Sequence, residues 1–138
     1  NSSGVNNTPV SPSVGNNTYI ITSIIDSNSC VNQNNPINAQ NIYVNPLPDI
    51  NITVLPNPIC VGDDATLLFT GTSGNPPYVV DYTAAGVIDS VNVPAVGLPL
   101  LVSPSATTTY ALTYVIDSKS CKSDLSDSTN LVVNEILN

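Results

Sequence analysis

Hydrophobic positions in this chain come in short runs of Val, Ile and Leu, broken every few residues by Pro, Gly, Asn or Asp. No i, i+3, i+4 stripe persists for three turns, and residues that favour helix interiors are scarce. The runs have the length and β-branched content of strands. They predict strands over 50–54 (INITV), 65–70 (ATLLFT), 77–83 (PYVVDYT), 86–93 (GVIDSVNV), 98–102 (LPLLV), 108–116 (TTYALTYVI) and 129–134 (TNLVVN), and two more over 18–25 (TYIITSII) and 41–45 (NIYVN). In 108–116 a period of two puts Tyr110, Leu112, Tyr114 and Ile116 on one face, with Ala111, Thr113, Val115 and Asp117 on the other. Neither face is wholly polar, which predicts a strand at the centre of its sheet.

The pattern also repeats. NNTYIITSIIDSNSC at 16–30 lies over TTTYALTYVIDSKSC at 107–121 with a constant offset of 110 − 19 = 91. That period suits one small β domain and is too long for a solenoid turn. Residues 1–47 are therefore read as the C-terminal half of one repeat and 48–138 as a complete repeat, expected to be all-β, an immunoglobulin-like or fibronectin-like β-sandwich in tandem. Pro46 and Pro48, in VNPLPDI, predict a short stiff linker and a head-to-tail arrangement. A chain that starts in mid-repeat is expected to belong to something longer.

Charge narrows the partners. Charged residues make up 9 % of the chain, with two Lys, no Arg and ten carboxylates, for a net charge of −8. Nothing here neutralises a phosphate backbone or an anionic lipid surface, so neither nucleic acid nor direct membrane insertion is expected. With one Phe, six Tyr and no Trp or Met, the core falls to Val, Ile and Leu.

Chemistry is sparse. The absence of His and Arg removes the common general base and anion clamp, no Ser or Cys sits in a nucleophile motif, and an enzyme is not expected. Three cysteines leave one unpaired. Cys60 precedes the second strand and Cys121 follows the sixth, positions that can meet at one end of a sandwich, so a Cys60–Cys121 disulfide is expected and Cys30 is assigned a partner upstream of the chain. Free thiols and a Cys30–Cys60 bridge are the alternatives. No cofactor is expected, although Asp63 and Asp64, in CVGDDAT, are candidate calcium ligands together with Asp117. Core packing is the expected use of the Tyr78, Tyr82 face and of the Tyr110, Tyr114 face. Gly71 and Gly74 are assigned to the turn into the third strand.

PICVGDDATLLFTGTSGNPPYVVDYT at 58–83, LVSPSATTTYALTYVIDSKSC at 101–121, and NTYIITSIIDSNSC followed by YVNPLP within 17–48 resemble the tandem repeats of giant cell-surface adhesins of Bacteroidota, of the SprB gliding-motility type. The resemblance covers nearly the whole chain. It implies type IX secretion, a cell-surface filament of stacked Ig-like domains, and contact with a substratum or polysaccharide. It also implies O-glycosylation where Asp-Ser precedes an apolar residue or Thr, which Ser90 and Ser128 satisfy.

The expected role is thus a repeat segment of a long extracellular adhesin filament, its neighbours being repeats of the same kind. A glycan-binding, lectin-like module and a structural surface-filament subunit are the readings from other classes.

Overall fold

The computed structural model describes residues 7–32 and 39–137. Among these residues there is no helix, and the chain divides into two compact units, Asn1–Val44 and Asn45–Asn138.

In the first unit, β1 (Gly15–Tyr19) pairs antiparallel with β4 (Gln40–Val44), and β2 (Ile24–Ile25) pairs antiparallel with β3 (Val31–Asn32). The single strand predicted over 18–25 is therefore broken at 20–23.

The second unit holds β5 (Asp49–Leu55), β6 (Ile59–Cys60), β7 (Ala65–Ser73), β8 (Tyr78–Ala84), β9 (Val87–Val93), β10 (Leu98–Val102), β11 (Thr108–Ile116), β12 (Lys122–Asp124), β13 (Ser128–Leu131) and β14 (Val133–Asn134). One sheet runs β10-β7-β5; the other runs β9-β8-β11, with β12 and β13 following one another along the far edge of β11. All these pairings are antiparallel, whereas β14 joins β6 in parallel.

Alternation fills the core. Ile50, Ile52 and Val54 of β5, with Ala65, Leu67 and Phe69 of β7, are buried from one sheet. Tyr78, Val80 and Tyr82 of β8, Tyr110, Leu112 and Val115 of β11, Val93 and Leu131 are buried from the other. The rings of Phe69 and Tyr82 meet at 5.4 Å and 59°, a tilted aromatic contact. Two sheets enclosing one cluster are consistent with a β-sandwich.

The period of two fails once, inside β11. Leu112 stands opposite Tyr82 but Tyr114 opposite Asp81, so Thr113 is an extra residue, a β-bulge. Its hydroxyl donates to the Asp81 carbonyl at 2.9 Å, and its own carbonyl accepts the Leu125 N–H at 2.9 Å. Beyond the bulge the faces exchange: Val115 and Asp117 turn inward while Tyr114 turns out, so Tyr110 and Tyr114 do not share a face as the alternation predicts.

The contact boundary falls just ahead of the linker prolines because these are held by the second unit. Ser73 donates its hydroxyl to the Leu47 carbonyl at 2.6 Å, and Pro48 is fully buried. At Gly74, φ is +91° and a Cβ would stand 2.6 Å from the Pro48 Cα. Gly74 serves a turn, as expected, but Gly71 lies within β7, where a Cβ would meet the Tyr78 ring at 2.5 Å.

Candidate functional site

The strands that carry the chain into and out of the second unit lie at opposite ends of it. Asp49 pairs with Ser73 at one end, and Leu55 pairs with Thr66 at the other, about 20 Å away along a seven-residue strand. The chain leaves at this second end, where Asn134 pairs with Cys60. β6 and β14 run side by side in the same direction there, extended by Ile59 N–H to the Val132 carbonyl and Val61 N–H to the Asn134 carbonyl, both 3.0 Å. Asn57 adds a two-way staple: its Nδ2 donates to the Asn130 carbonyl at 2.7 Å, and its Oδ1 accepts the Val132 N–H at 3.0 Å. Asp127 ties the sheets together, its Oδ2 accepting the Ile52 N–H at 3.1 Å while its carbonyl accepts the Leu112 N–H at 2.9 Å.

Asp117 is the buried carboxylate among the described residues. Its Oδ1 accepts the N–H groups of Lys119 and Cys121, each at 2.9 Å, in a tight turn whose Ser120 has φ 63°. Its Oδ2 accepts the Asn75 backbone N–H at 3.0 Å and side-chain amide at 3.3 Å. Burial raises its pKa, but these hydrogen bonds, all to the ionised form, outweigh that and hold the carboxyl below the usual range. Asp26 builds the same inner turn, accepting Asn28 N–H and Cys30 N–H at 2.9 Å, with Ser29 at φ 64°.

These geometries redistribute the candidate ligands. Asp63 accepts the Cys60 N–H at 3.3 Å, and Asp64 accepts the Ser103 hydroxyl. Both precede β7, at the end where β14 leaves, whereas Asp117 follows β11 at the other end beside Asn75. The candidate calcium ligands Asp63, Asp64 and Asp117 are therefore not brought together, and no group of three His, Cys, Asp or Glu suited to a metal is found among the described residues.

The cysteine pairing is corrected by the same topology. Cys30, Cys60 and Cys121 are free thiols. Cys60 sits on β6 and Cys121 beyond the far end of β11, whose nine residues span about 30 Å, and a disulfide needs Cα atoms within about 7 Å. The expectation failed because β11 ends at the end opposite to that where β7 begins.

Ser90 and Ser128 are exposed, and each N–H donates to Oδ1 of the preceding aspartate, Asp89 at 2.8 Å and Asp127 at 2.9 Å. The Ser90 hydroxyl also donates to Asp81 Oδ1 at 2.7 Å. Hydrogen bonds from Tyr114 and Ser90 hold Asp81 below its ordinary pKa, and Lys122 Nζ lies 4.0 Å above the Tyr114 ring. Sequence reasoning missed this patch because the bulge that turns Tyr114 outward lies within an apolar run. It missed the Asn57 staple as well, since an Asn between two prolines reads as a turn.

No protein-family description, curated protein or solved structure matches this chain.

Proposed function

We propose that the chain is a repeat segment of a long extracellular cell-surface adhesin, of the Bacteroidota gliding-motility type, with Ig-like or fibronectin-like modules in tandem acting as a tension-bearing stalk. The observation that supports this most is the parallel β6–β14 pairing, with the chain entering and leaving the second unit at opposite ends. Tension on the two ends pulls β6 and β14 past one another, so the Ile59, Val61 and Asn57 hydrogen bonds are loaded together in shear instead of being opened one by one. With a net charge of −8 the modules repel one another and stay soluble at close quarters. Repetition sets reach, and weak contacts to a substratum or polysaccharide multiply along it. Ser90 and Ser128, exposed on their strands, are the proposed sites of O-glycosylation.

The test is single-molecule extension of the whole chain held at its termini. The second unit is expected to unfold in one high-force event that drops in Asn57→Ala, which loses both halves of the staple. Unfolding at low force in the unaltered chain, unaffected by Asn57→Ala, would remove the mechanical role.

A further inference from the structure

The pairings of β1 with β4 and of β2 with β3 repeat those of β11 with β13 and β12 register for register. Tyr19 opposite Gln40, Thr18 opposite Asn41 and Asn17 opposite Ile42 reproduce Tyr110 opposite Thr129, Thr109 opposite Asn130 and Thr108 opposite Leu131. The hydrogen bond from Thr18 Oγ1 to Asn41 Oδ1, 2.7 Å, recurs from Thr109 Oγ1 to Asn130 Oδ1 at 2.9 Å. Ile24 opposite Asn32 and Ile25 opposite Val31 reproduce Val115 opposite Ser123 and Ile116 opposite Lys122.

The surroundings differ. Tyr19, Ile21, Ile24 and Ile42 are 37, 49, 53 and 41 % exposed, whereas Tyr110, Leu112, Val115 and Leu131 at the matching places are 4, 3, 0 and 0 % exposed. An open hollow of about 420 Å³ is lined by Tyr19, Ile20, Ile21 and Gln40. In the second unit β8 covers the edge of β11 from Tyr110 to Ile116, and the strand runs unbroken through its bulge. In the first, β4 and β3 take one edge, and no strand lies on the other among the described residues. The break at 20–23 covers the counterparts of Ala111 to Tyr114, the stretch that β8 flanks on both sides of the Thr113 bulge.

We infer that β1 to β3 and β4, within residues 15–32 and 40–44, are an acceptor surface for a polypeptide with the strand pattern of residues 49–102, supplied by another repeat of this type. The open edge calls for an antiparallel strand, since only a strand pairs a row of backbone N–H and C=O groups in register. The four apolar positions call for inward Tyr-x-Val-x-Tyr residues like those of β8, backed by a layer like β10-β7-β5. The Asp26 turn calls for a Gly-Asn-Pro-Pro loop, whose Asn closes over the carboxylate as Asn75 closes over Asp117. This inference rests on the repeat register and not on the extracellular role.

The experiment places residues 45–102 directly ahead of Ser11 in the otherwise full chain, the join matching Val102–Ser103, and follows amide exchange in the unique peptides covering 19–25 and 108–116. Protection at 19–25 is expected to rise at least about 10³-fold over the unextended chain, the folded-to-unfolded ratio at the low end for a small domain. Protection at 108–116 is expected to stay constant as the internal control. Ile21→Asn with Ile24→Asn in the extended chain should cancel the gain at 19–25 alone. Unchanged exchange at 19–25 in the extended chain overturns the inference. So does equal protection in the unextended chain with dimerisation in sedimentation and unchanged protection at 108–116, which pairs the face with its like on a second copy and not with a 49–102 segment.

Discussion

Asn75 donates both its backbone N–H and its side-chain amide to a single oxygen of Asp117, at 3.0 and 3.3 Å, and so pins the start of β8 to the turn that follows β11. Because the folded-state pKa of Asp117 is depressed, this stabilisation is complete above the ordinary aspartate value of about 3.9 and is lost as pH falls through the lower folded value. Urea midpoints measured from pH 7 downward should fall in that acid window. Asp117→Asn should cost about 2 kcal/mol at neutral pH and flatten the acid limb, because the amide nitrogen cannot accept the bonds that the carboxylate accepts.

At the alkaline end the group to watch is Tyr82. Burial, then its hydrogen bond to Asp89 at 3.1 Å, push its pKa up to about 12. A raised folded pKa gives stability that is present below the ordinary tyrosine value of about 10 and is lost as pH rises through about 12. Absorbance at the tyrosinate band should show a late ionisation that coincides with loss of β-sheet circular dichroism, and Tyr82→Phe should remove that late phase.

Gly71→Ala should be among the more harmful single-methyl changes in the chain. The added carbon would lie 2.5 Å from the Tyr78 ring, which is itself buried and cannot swing away. A loss of about 1–3 kcal/mol is expected by denaturant titration, partly recovered when Tyr78→Leu is made in the same chain.

The three thiols should all titrate with an aromatic disulfide reagent without denaturant, Cys30 and Cys60 faster than the half-buried Cys121. Intact mass should show no loss of two hydrogens, and Cys60→Ser should shift the urea midpoint by the small amount of an exposed substitution, within about 0.5 kcal/mol.

Strand positions were legible wherever β-branched runs met Gly, Pro or Asn, as at 65–70, 98–102 and 108–116, because burial on a sheet demands that composition. Three short strands were not: Val31–Asn32 and Ile59–Cys60 are too brief to show a period, and Lys122–Asp124 is polar and held by its position beside β11. The bulge at Thr113 was hidden because apolar residues stand on both sides of it, although Asp117 in step with Val115 was a trace of the exchanged faces. The 91-residue repeat was fully visible in letters, and its equivalence extends to hydrogen bonds such as Thr18 to Asn41. Which cysteines meet could not be read, since that depends on which end of a strand faces which, a matter of topology and not of spacing.

Chain order sets which contacts close the second unit. β8 is made before its partner β11, and the Asp127 link to Ile52 and the β6–β14 seam join the first-made strands to the last-made, so neither can form until the whole unit has left the ribosome.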